Sequence, residues 1–315
     1  MDGIEVTIIT GLWELGQPSR DSIQGICVHR LFSAWGLFNI KGIRKFGYYT
    51  YLLSLFLYLL WHRNKYDIIH CHSALVEASI GVLVGHWLNK PTLIRPMASG
   101  VFGDFKRLNQ YRSIWCQDWF TGKLRLADAA VALNPQIADE IITMGIPENQ
   151  IVFIPNGVEI EANSHRRSYA PHKPMVISFV GRLHPQKGVD TLLFALGRLA
   201  RARTDLTWQL QLAGTGPLEH ELKALAIELG IDLYVEFLGQ LDSVAHLLEH
   251  SDCFVLPSLS EGISNALLEA MAQGLPCIAT DIPGNNSLIQ HHRNGLLVPP
   301  NDDKALAEAI ITLVS

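Results

Sequence analysis

Charge is scarce in this chain. Asp, Glu, Lys and Arg make up 17% of its 315 residues, against 48% hydrophobic. The charges sum to −5 with no extended basic tract, so the electrostatic footprint of a nucleic-acid binder is missing. Cysteines are few and odd in number (Cys27, Cys71, Cys116, Cys253, Cys277), and no C-x-x-C pair occurs among them. This argues against a structural zinc and points to reduced, packed thiols of a cytosolic protein. The opening residues, MDGIEVTIIT, lack a basic segment followed by an apolar one, so they do not read as a signal peptide. The longest apolar run, FGYYTYLLSLFLYLLWHR at 46–63, is shorter than the roughly 20 residues a spanning helix needs. Its Tyr and Trp content and its basic flank (Arg44, Lys45, His62, Arg63) leave two readings, a core helix or an interfacial one. The strand pattern that follows directly favours the core helix.

What the chain does have is a repeated alternation. Short β-branched runs stand at 5–10, 66–71, 92–96, 129–133 and 151–155, with helical patterns between them. The polar stretch NSHRRSYAPHKP (163–174) then reads as a linker. The alternation restarts with MVISFVG, WQLQLAG, YVEFLG, CFVLPS, PCIAT and GLLVPP. This pattern predicts parallel sheets with crossover helices, built twice, and the length suffices for two cores. The predicted domains are 1–165 and 172–315. Ligands of such sheets sit beyond the carboxyl ends of the strands, which directs attention to the loops there.

Three such loops of the second half carry suitable chemistry. FVGRLHPQKG (179–188) offers Gly181, Arg182 and Lys187 before a helix, and Arg as a fork with Lys as a point charge suits a diphosphate. LAGTGPL (212–218) places Gly214 and Gly216 where backbone can approach a ligand. SLSEGISNALLEAMAQG (258–274) opens a helix at Gly262, Ile263, Ser264 and Asn265, whose amides and dipole favour an anion. Two acids flank that start, Glu261 and Glu269. Eight steps at about 100° each leave them about 80° apart, so they do not share a helix face. Each feature taken singly also has an ordinary reading: solvated cations, a structural turn, an N-cap, an acid complementing a helix dipole. Glu269 resists it most, because it interrupts an apolar helix start where a buried acid needs a partner.

Together, FVGRLHPQKG, LAGTGPL, VEFLGQL and the E-x₇-E pattern in the run from Pro257 to Ile310 strongly resemble retaining glycosyltransferases of family 4. The resemblance covers nearly the whole chain and is most specific from Val176 to Ile310. It implies an α/β architecture of the GT-B type, two doubly wound Rossmann-like domains facing across a cleft. It also implies a nucleotide-sugar donor in the C-terminal domain. Arg182 and Lys187 would bind the diphosphate, with amides around Gly181 and from Gly262 to Asn265. Glu261 would hold hydroxyls of the transferred sugar, and Glu269 the ribose. Phe237 to Gln240 would line the base pocket, and Gly214 and Gly216 would border the donor. No cofactor and no metal are implied, and no D-x-D pair is present. The implied acceptor is a carbohydrate or a lipid-linked glycan, met in the cytoplasm or at the inner face of the membrane. A nucleotide-sugar 2-epimerase shares this fold and would differ by releasing no free nucleotide. A third reading is a truncated chain that only binds nucleotide.

The N-terminal half departs from the pattern. The family's first strand and Gly-rich loop are not found before EVTIIT, and its last helices are not found after DDKALAEAIITLVS, so the sequence reads as trimmed at both ends. At the end of TLIRP and in the loop after it, where many relatives carry a His, stand Arg95, Ser99 and Gly100, read as acceptor-side residues together with His72 of the H-C-H triplet. That triplet lacks further ligands at metal spacing. His291 and His292 are expected on a helix surface without a role.

Overall fold

The structure is a computed structural model that describes residues 3–14, 16–34, 44–110, 117–159 and 172–314. Cys116 and residues 163–171 of the expected linker lie outside the described residues. In chain order the elements of the first half are β1 (Thr7–Gly11), β2 (Arg20–Ile23), β3 (Ile26–Leu31), α1 (Arg44–Trp61), β4 (Ile69–Cys71), α2 (Val76–Leu88) and β5 (Thr92–Ile94). They continue with α3 (Asp104–Gln110), α4 (Gln117–Leu124), β6 (Ala129–Ala132), α5 (Pro135–Thr143) and β7 (Ile151–Phe153). The second half contains β8 (Met175–Val180), α6 (Val189–Ala202), β9 (Trp208–Ala213), α7 (Glu219–Glu228), β10 (Val235–Gly239), α8 (Ala245–Glu249) and β11 (Cys253–Leu256). It ends with α9 (Asn265–Ala272), β12 (Cys277–Thr280), α10 (Pro283–Asn286), β13 (Leu296–Val298) and α11 (Asp303–Val314).

The chain forms two compact units, and the division does not follow sequence order. The first comprises Met1–Arg95, Leu108–Val131 and Ile142–Val152. The second comprises Pro96–Arg107, Ala132–Ile141 and Phe153–Ser315. The loop after β5 and the start of α5 therefore pack with the C-terminal half.

The first half carries two sheets rather than one. One has the order β1-β3-β2 and the other β4-β5-β6-β7. β1 pairs parallel to β3, whereas β2 pairs antiparallel to β3. This hairpin, Arg20 to Leu31, departs from the all-parallel expectation. Its reason is local: Gln24 (φ 52) and Gly25 (φ 80) both take the left-handed backbone of a tight hairpin turn. All four residues of β2 are exposed, so it shows no in-out alternation to betray a strand. Helix α1 is only half the core helix expected: Tyr51, Leu52, Leu55 and Leu59 are buried, while Phe46, Tyr49, Leu53, Leu57 and Trp61 are exposed. No described helix is long and apolar enough to cross a membrane.

The second unit holds one six-stranded sheet in the order β10-β9-β8-β11-β12-β13, with every pairing parallel. This is the doubly wound order, in which the chain starts at β8, works outward to β10, then crosses back to β11. β11 and β12 are buried at every position, as strands covered by helices on both faces must be. Phe179, Phe254, Ile177, Leu192, Leu210 and Leu212 lie in its core with no exposed surface. The switch point between β8 and β11 is where such a sheet leaves a crevice at its carboxyl edge, and the loops that follow these two strands both end there.

His291 and His292 do not lie on a helix. His291 forms an isolated bridge with Gly295, its Nδ1 accepts from Leu297 N at 2.9 Å, and His292 sits at φ 62 in the following turn. Asn294, whose Oδ1 accepts from Gln290 N at 2.7 Å, closes a tight turn that the helical reading of this polar stretch overlooked.

Candidate active site

The loop after β8 is tied by hydrogen bonds to the end of β9 and the loop that follows it. Gly181 N donates to Ala213 O and Leu183 N to Thr215 O, both at 2.9 Å, so this loop is laced to the loop after β9. Gly214 (φ 129) has to be glycine, because a Cβ there would sit 2.0 Å from Gly181 O. The close approach that the glycines permit is thus first an approach of the two loops to each other. The amide of Gly181 is already engaged in it, as is that of Gly214, which donates to Gly239 O at 2.7 Å. Gly216 O accepts from Glu219 N at 3.2 Å and starts α7.

A short 3₁₀ turn, Pro185–Lys187, follows, and Nδ1 of His184 caps it by accepting from Gln186 N. That role needs an unprotonated ring nitrogen. Partial burial, followed by the charges of Arg182 and Arg107, lowers the His184 pKa, which favours that form. Arg182 is exposed. Gly188 (φ 60) then enters α6 in the left-handed conformation, with a would-be Cβ only 2.2 Å from Pro257 O.

The loop after β11 meets this turn. Lys187 Nζ lies 2.6 Å from Glu261 Oε1, with side-chain exposures of 18% and 9%. Ser258 Oγ donates to the same carboxylate oxygen at 2.7 Å. Gln186 stitches the loops twice: its Nε2 donates to Ser260 O and its carbonyl accepts from Leu259 N, both at 2.8 Å. Thr280 of β12 supports the loop by donating its hydroxyl to Ser258 O. Lys187 and Glu261, which the sequence suggested as separate donor contacts, are therefore one ion pair bridging the two strands at the switch point.

Beyond Glu261 the chain turns into α9. Ser264 is its N-cap, accepting from Leu267 N at 3.4 Å, and the amides of the first turn have no carbonyl within the helix to bind. Gly262 and Ile263 are held from outside. Asn134 Nδ2 donates to Gly262 O at 2.6 Å, and the same side chain's Oδ1 caps α5 by accepting from Ile137 N at 2.9 Å. Asn156 Nδ2 donates to Ile263 O at 3.1 Å and to Asn265 Oδ1 at 2.8 Å. Glu269 stands inside α9, half-buried, and burial raises its carboxyl above the usual range. Glu261 is thus in the loop and Glu269 in the helix, with Gly262 to Asn265 between them. On β10, Phe237 is half-buried under Lys223, whose Nζ lies 5.1 Å from the ring centroid.

The residues assigned to the acceptor side divide between the units. Ser99 and Gly100 belong to the second. Ser99 is buried, receives the Ser260 hydroxyl on its carbonyl, and directs its own hydroxyl to Glu261 O at 3.4 Å. Gly100 (φ 70) donates its amide to Glu140 Oε1 at 2.8 Å. Ser99 therefore contacts the Glu261 loop, whereas Gly100 is tied to α5. His72 and Arg95 belong to the first unit, where Arg95 N donates to Cys71 O at 2.9 Å. The rings of His70 and His72 lie 4.3 Å apart, and burial followed by the Arg95 charge lowers the His72 pKa. Among the described residues no group of three or more His, Cys, Asp or Glu gathers in a metal-ligating arrangement.

Sequence reasoning passed over Gln186, Ser258, Ser260, Asn134 and Asn156. The two serines alternate through S-L-S-E, and Asn134 stands before Pro135 as an N-cap should. That much was visible, but except for Ser258, which binds the nearby Glu261 carboxylate, their targets are carbonyls remote in sequence.

Comparison with known proteins joins this geometry to a family. The model described as Glycosyltransferase Family 4 matches residues 1–162, and that described as Glycosyl transferases group 1 matches residues 174–315. The UDP-Gal:alpha-D-GlcNAc-diphosphoundecaprenol alpha-1,3-galactosyltransferase of Escherichia coli is 28% identical over 81% of this chain and 68% of its own length. Among solved structures, sucrose-phosphate synthase from Thermosynechococcus elongatus superimposes with a TM-score of 0.74, at 20% identity, over 99% of this chain and 80% of that one. HepE of Anabaena in complex with UDP-glucose does so with 0.70, at 20% identity, over 92% and 77%. At such identities the structures speak to the fold.

Proposed function

Because this chain belongs to glycosyltransferase family 4 and is a glycosyltransferase of the GT-B fold, we propose that it moves a sugar, with retention, from a nucleotide-diphosphate sugar to a carbohydrate or lipid-linked acceptor. The observation that carries this reading is the Lys187–Glu261 pair at the switch point, beside the capped start of α9. A carboxylate bound to both a lysine and Ser258 is fixed in orientation, which suits it to accept hydrogen bonds from sugar hydroxyls. The lysine ammonium has three protons and gives one to Glu261, leaving two for phosphate oxygens.

In the reaction the bond from the anomeric carbon to the phosphate oxygen breaks and negative charge grows on the diphosphate. Arg182, Lys187 and the amides opening α9 meet that charge with donors already in place, and removing one such donor costs about 10²–10³ in rate. The acceptor hydroxyl attacks the anomeric carbon from the same face, and its proton passes to the departing phosphate oxygen. Products are the glycoside and a nucleoside diphosphate. With cations and amides covering the diphosphate, the reaction needs no divalent metal. Glu269 receives the ribose hydroxyls, and Phe237 borders the base. The E. coli relative's diphosphoundecaprenol acceptor supports a lipid-linked acceptor for this chain and a place of work at the inner face of the membrane.

The test is a titration of uridine, guanosine and adenosine diphosphates and their sugars into the full chain by calorimetry, followed by product analysis. Lys187→Ala and Glu269→Ala are each expected to weaken binding of the preferred nucleotide. Unchanged affinity in both would overturn the site. An inverted product, or activity abolished by EDTA, would overturn the retaining, metal-free mechanism.

A further inference from the structure

We propose that the exposed face of α1 is a docking surface for an anionic phospholipid membrane. The helix is apolar around its whole circumference, yet only one side is covered. Tyr51, Leu52, Leu55 and Leu59 are buried. At about 100° per residue these four lie opposite Phe46, Tyr49, Leu53, Leu57 and Trp61, which form a single stripe about 120° wide. Their exposures are 60%, 45%, 58%, 44% and 85%. A monomeric protein in water seldom lines up five large apolar side chains in this way. Trp87 of α2, 58% exposed, widens the stripe by an edge-on contact with Phe56, ring centroids 6.0 Å apart. Aromatic side chains at the rim of an apolar face are suited to the boundary between headgroups and acyl chains, where a ring is half in oil and half wet.

Charge selects the partner. The chain as a whole is negative, at −5, but from 22 to 66 it contains Arg30, Lys41, Arg44, Lys45, Arg63 and Lys65 and no acid at all. Arg30 is paired with Asp21 at 3.2 Å, whereas Arg63 and Lys65 are exposed just beyond Trp61. The next acid, Asp67, has Lys90 Nζ at 3.9 Å. An apolar stripe with basic residues at its end, on an otherwise acidic protein, complements a negatively charged lipid surface. A protein partner would be read as an equally apolar groove and would give the bias toward basic residues nothing to do. The surface is distinct from the residues proposed for donor binding, and its test requires no catalytic activity, so its failure and that of the glycosyltransfer reading are separable.

The experiment is co-sedimentation of the full chain with vesicles of phosphatidylcholine alone and of phosphatidylcholine with phosphatidylglycerol at 3:1. Binding is expected to the anionic vesicles, to be weaker at least tenfold with neutral ones, and to fall as salt rises. The triple variant Leu53→Gln/Leu57→Gln/Trp61→Gln should lose at least tenfold in affinity with an unaltered circular dichroism spectrum, since the replaced side chains are exposed. Arg63→Gln/Lys65→Gln should lose about thirtyfold at low salt, about fivefold per charge. Equal binding to neutral and anionic vesicles, or no loss in either variant, would overturn the proposal. So would a chain that ignores vesicles but self-associates in sedimentation velocity until the triple variant makes it monomeric.

Discussion

Breaking the Lys187–Glu261 pair should cost stability as well as catalysis, and by an amount the geometry allows to be worked out. Both side chains are mostly covered, 18% and 9% exposed, and their charged atoms are 2.6 Å apart. Removing one partner of a buried pair leaves an uncompensated charge and costs about 3–5 kcal/mol. Lys187→Ala falls at the low end, about 3 kcal/mol, because Ser258 still donates to the carboxylate. In a unit of this size that lowers the melting midpoint by about 6–12 °C. Glu261→Gln keeps the shape and the Ser258 contact and leaves an amine that can reach water, so about 1–2 kcal/mol is expected. Combining the two should cost less than their sum by about 1–2 kcal/mol, because each single change strands the other's charge. Urea denaturation of the three variants measures this coupling. Additivity within about 0.5 kcal/mol would refute the claim that these groups act as one pair.

Other perturbations probe the scaffold. Gly188→Ala demands a left-handed alanine with its Cβ 2.2 Å from Pro257 O and should destabilise by about 2–4 kcal/mol in the same assay. Asn134→Ala removes both the cap of α5 and the hold on Gly262 O, for about 1–3 kcal/mol, and should lower kcat more than nucleotide affinity. Glu269 has its pKa raised by burial, so the stability of its protonated form is present at low pH and lost as pH rises through the raised value. Glu269→Gln should therefore melt higher than the parent at pH 7 without nucleotide, the gain vanishing below about pH 4.

How far the sequence foretold this depended on which forces shape each part. In the second half all six strands stand where strand-like runs lay between helical patterns, most plainly β11 and β12, where burial at every position leaves a nearly continuous apolar signature. The placement of Glu261 before the helix and Glu269 inside it was equally legible, since Ser264 is an ordinary cap with an ordinary preference. The first half was less so. In the hairpin of β2 and β3 all of β2 is exposed and a Gln-Gly turn follows it, and the polar tract at 290–294 closes as a turn through Asn294. Both lack the periodicity from which elements are inferred.

By itself the sequence determined the alternation of elements, the glycines that only a left-handed or crowded backbone accepts, and the family. Those are properties of residues a few positions apart, where period and φ preference act. The tertiary structure decided the rest. It brought Lys187 and Glu261, 74 positions apart, into one ion pair. It set Asn134 beneath Gly262 across 128 positions, and turned one apolar side of α1 inward and the other outward. Pairing across such separations is governed by which strands adjoin in the sheet, and no local preference encodes it.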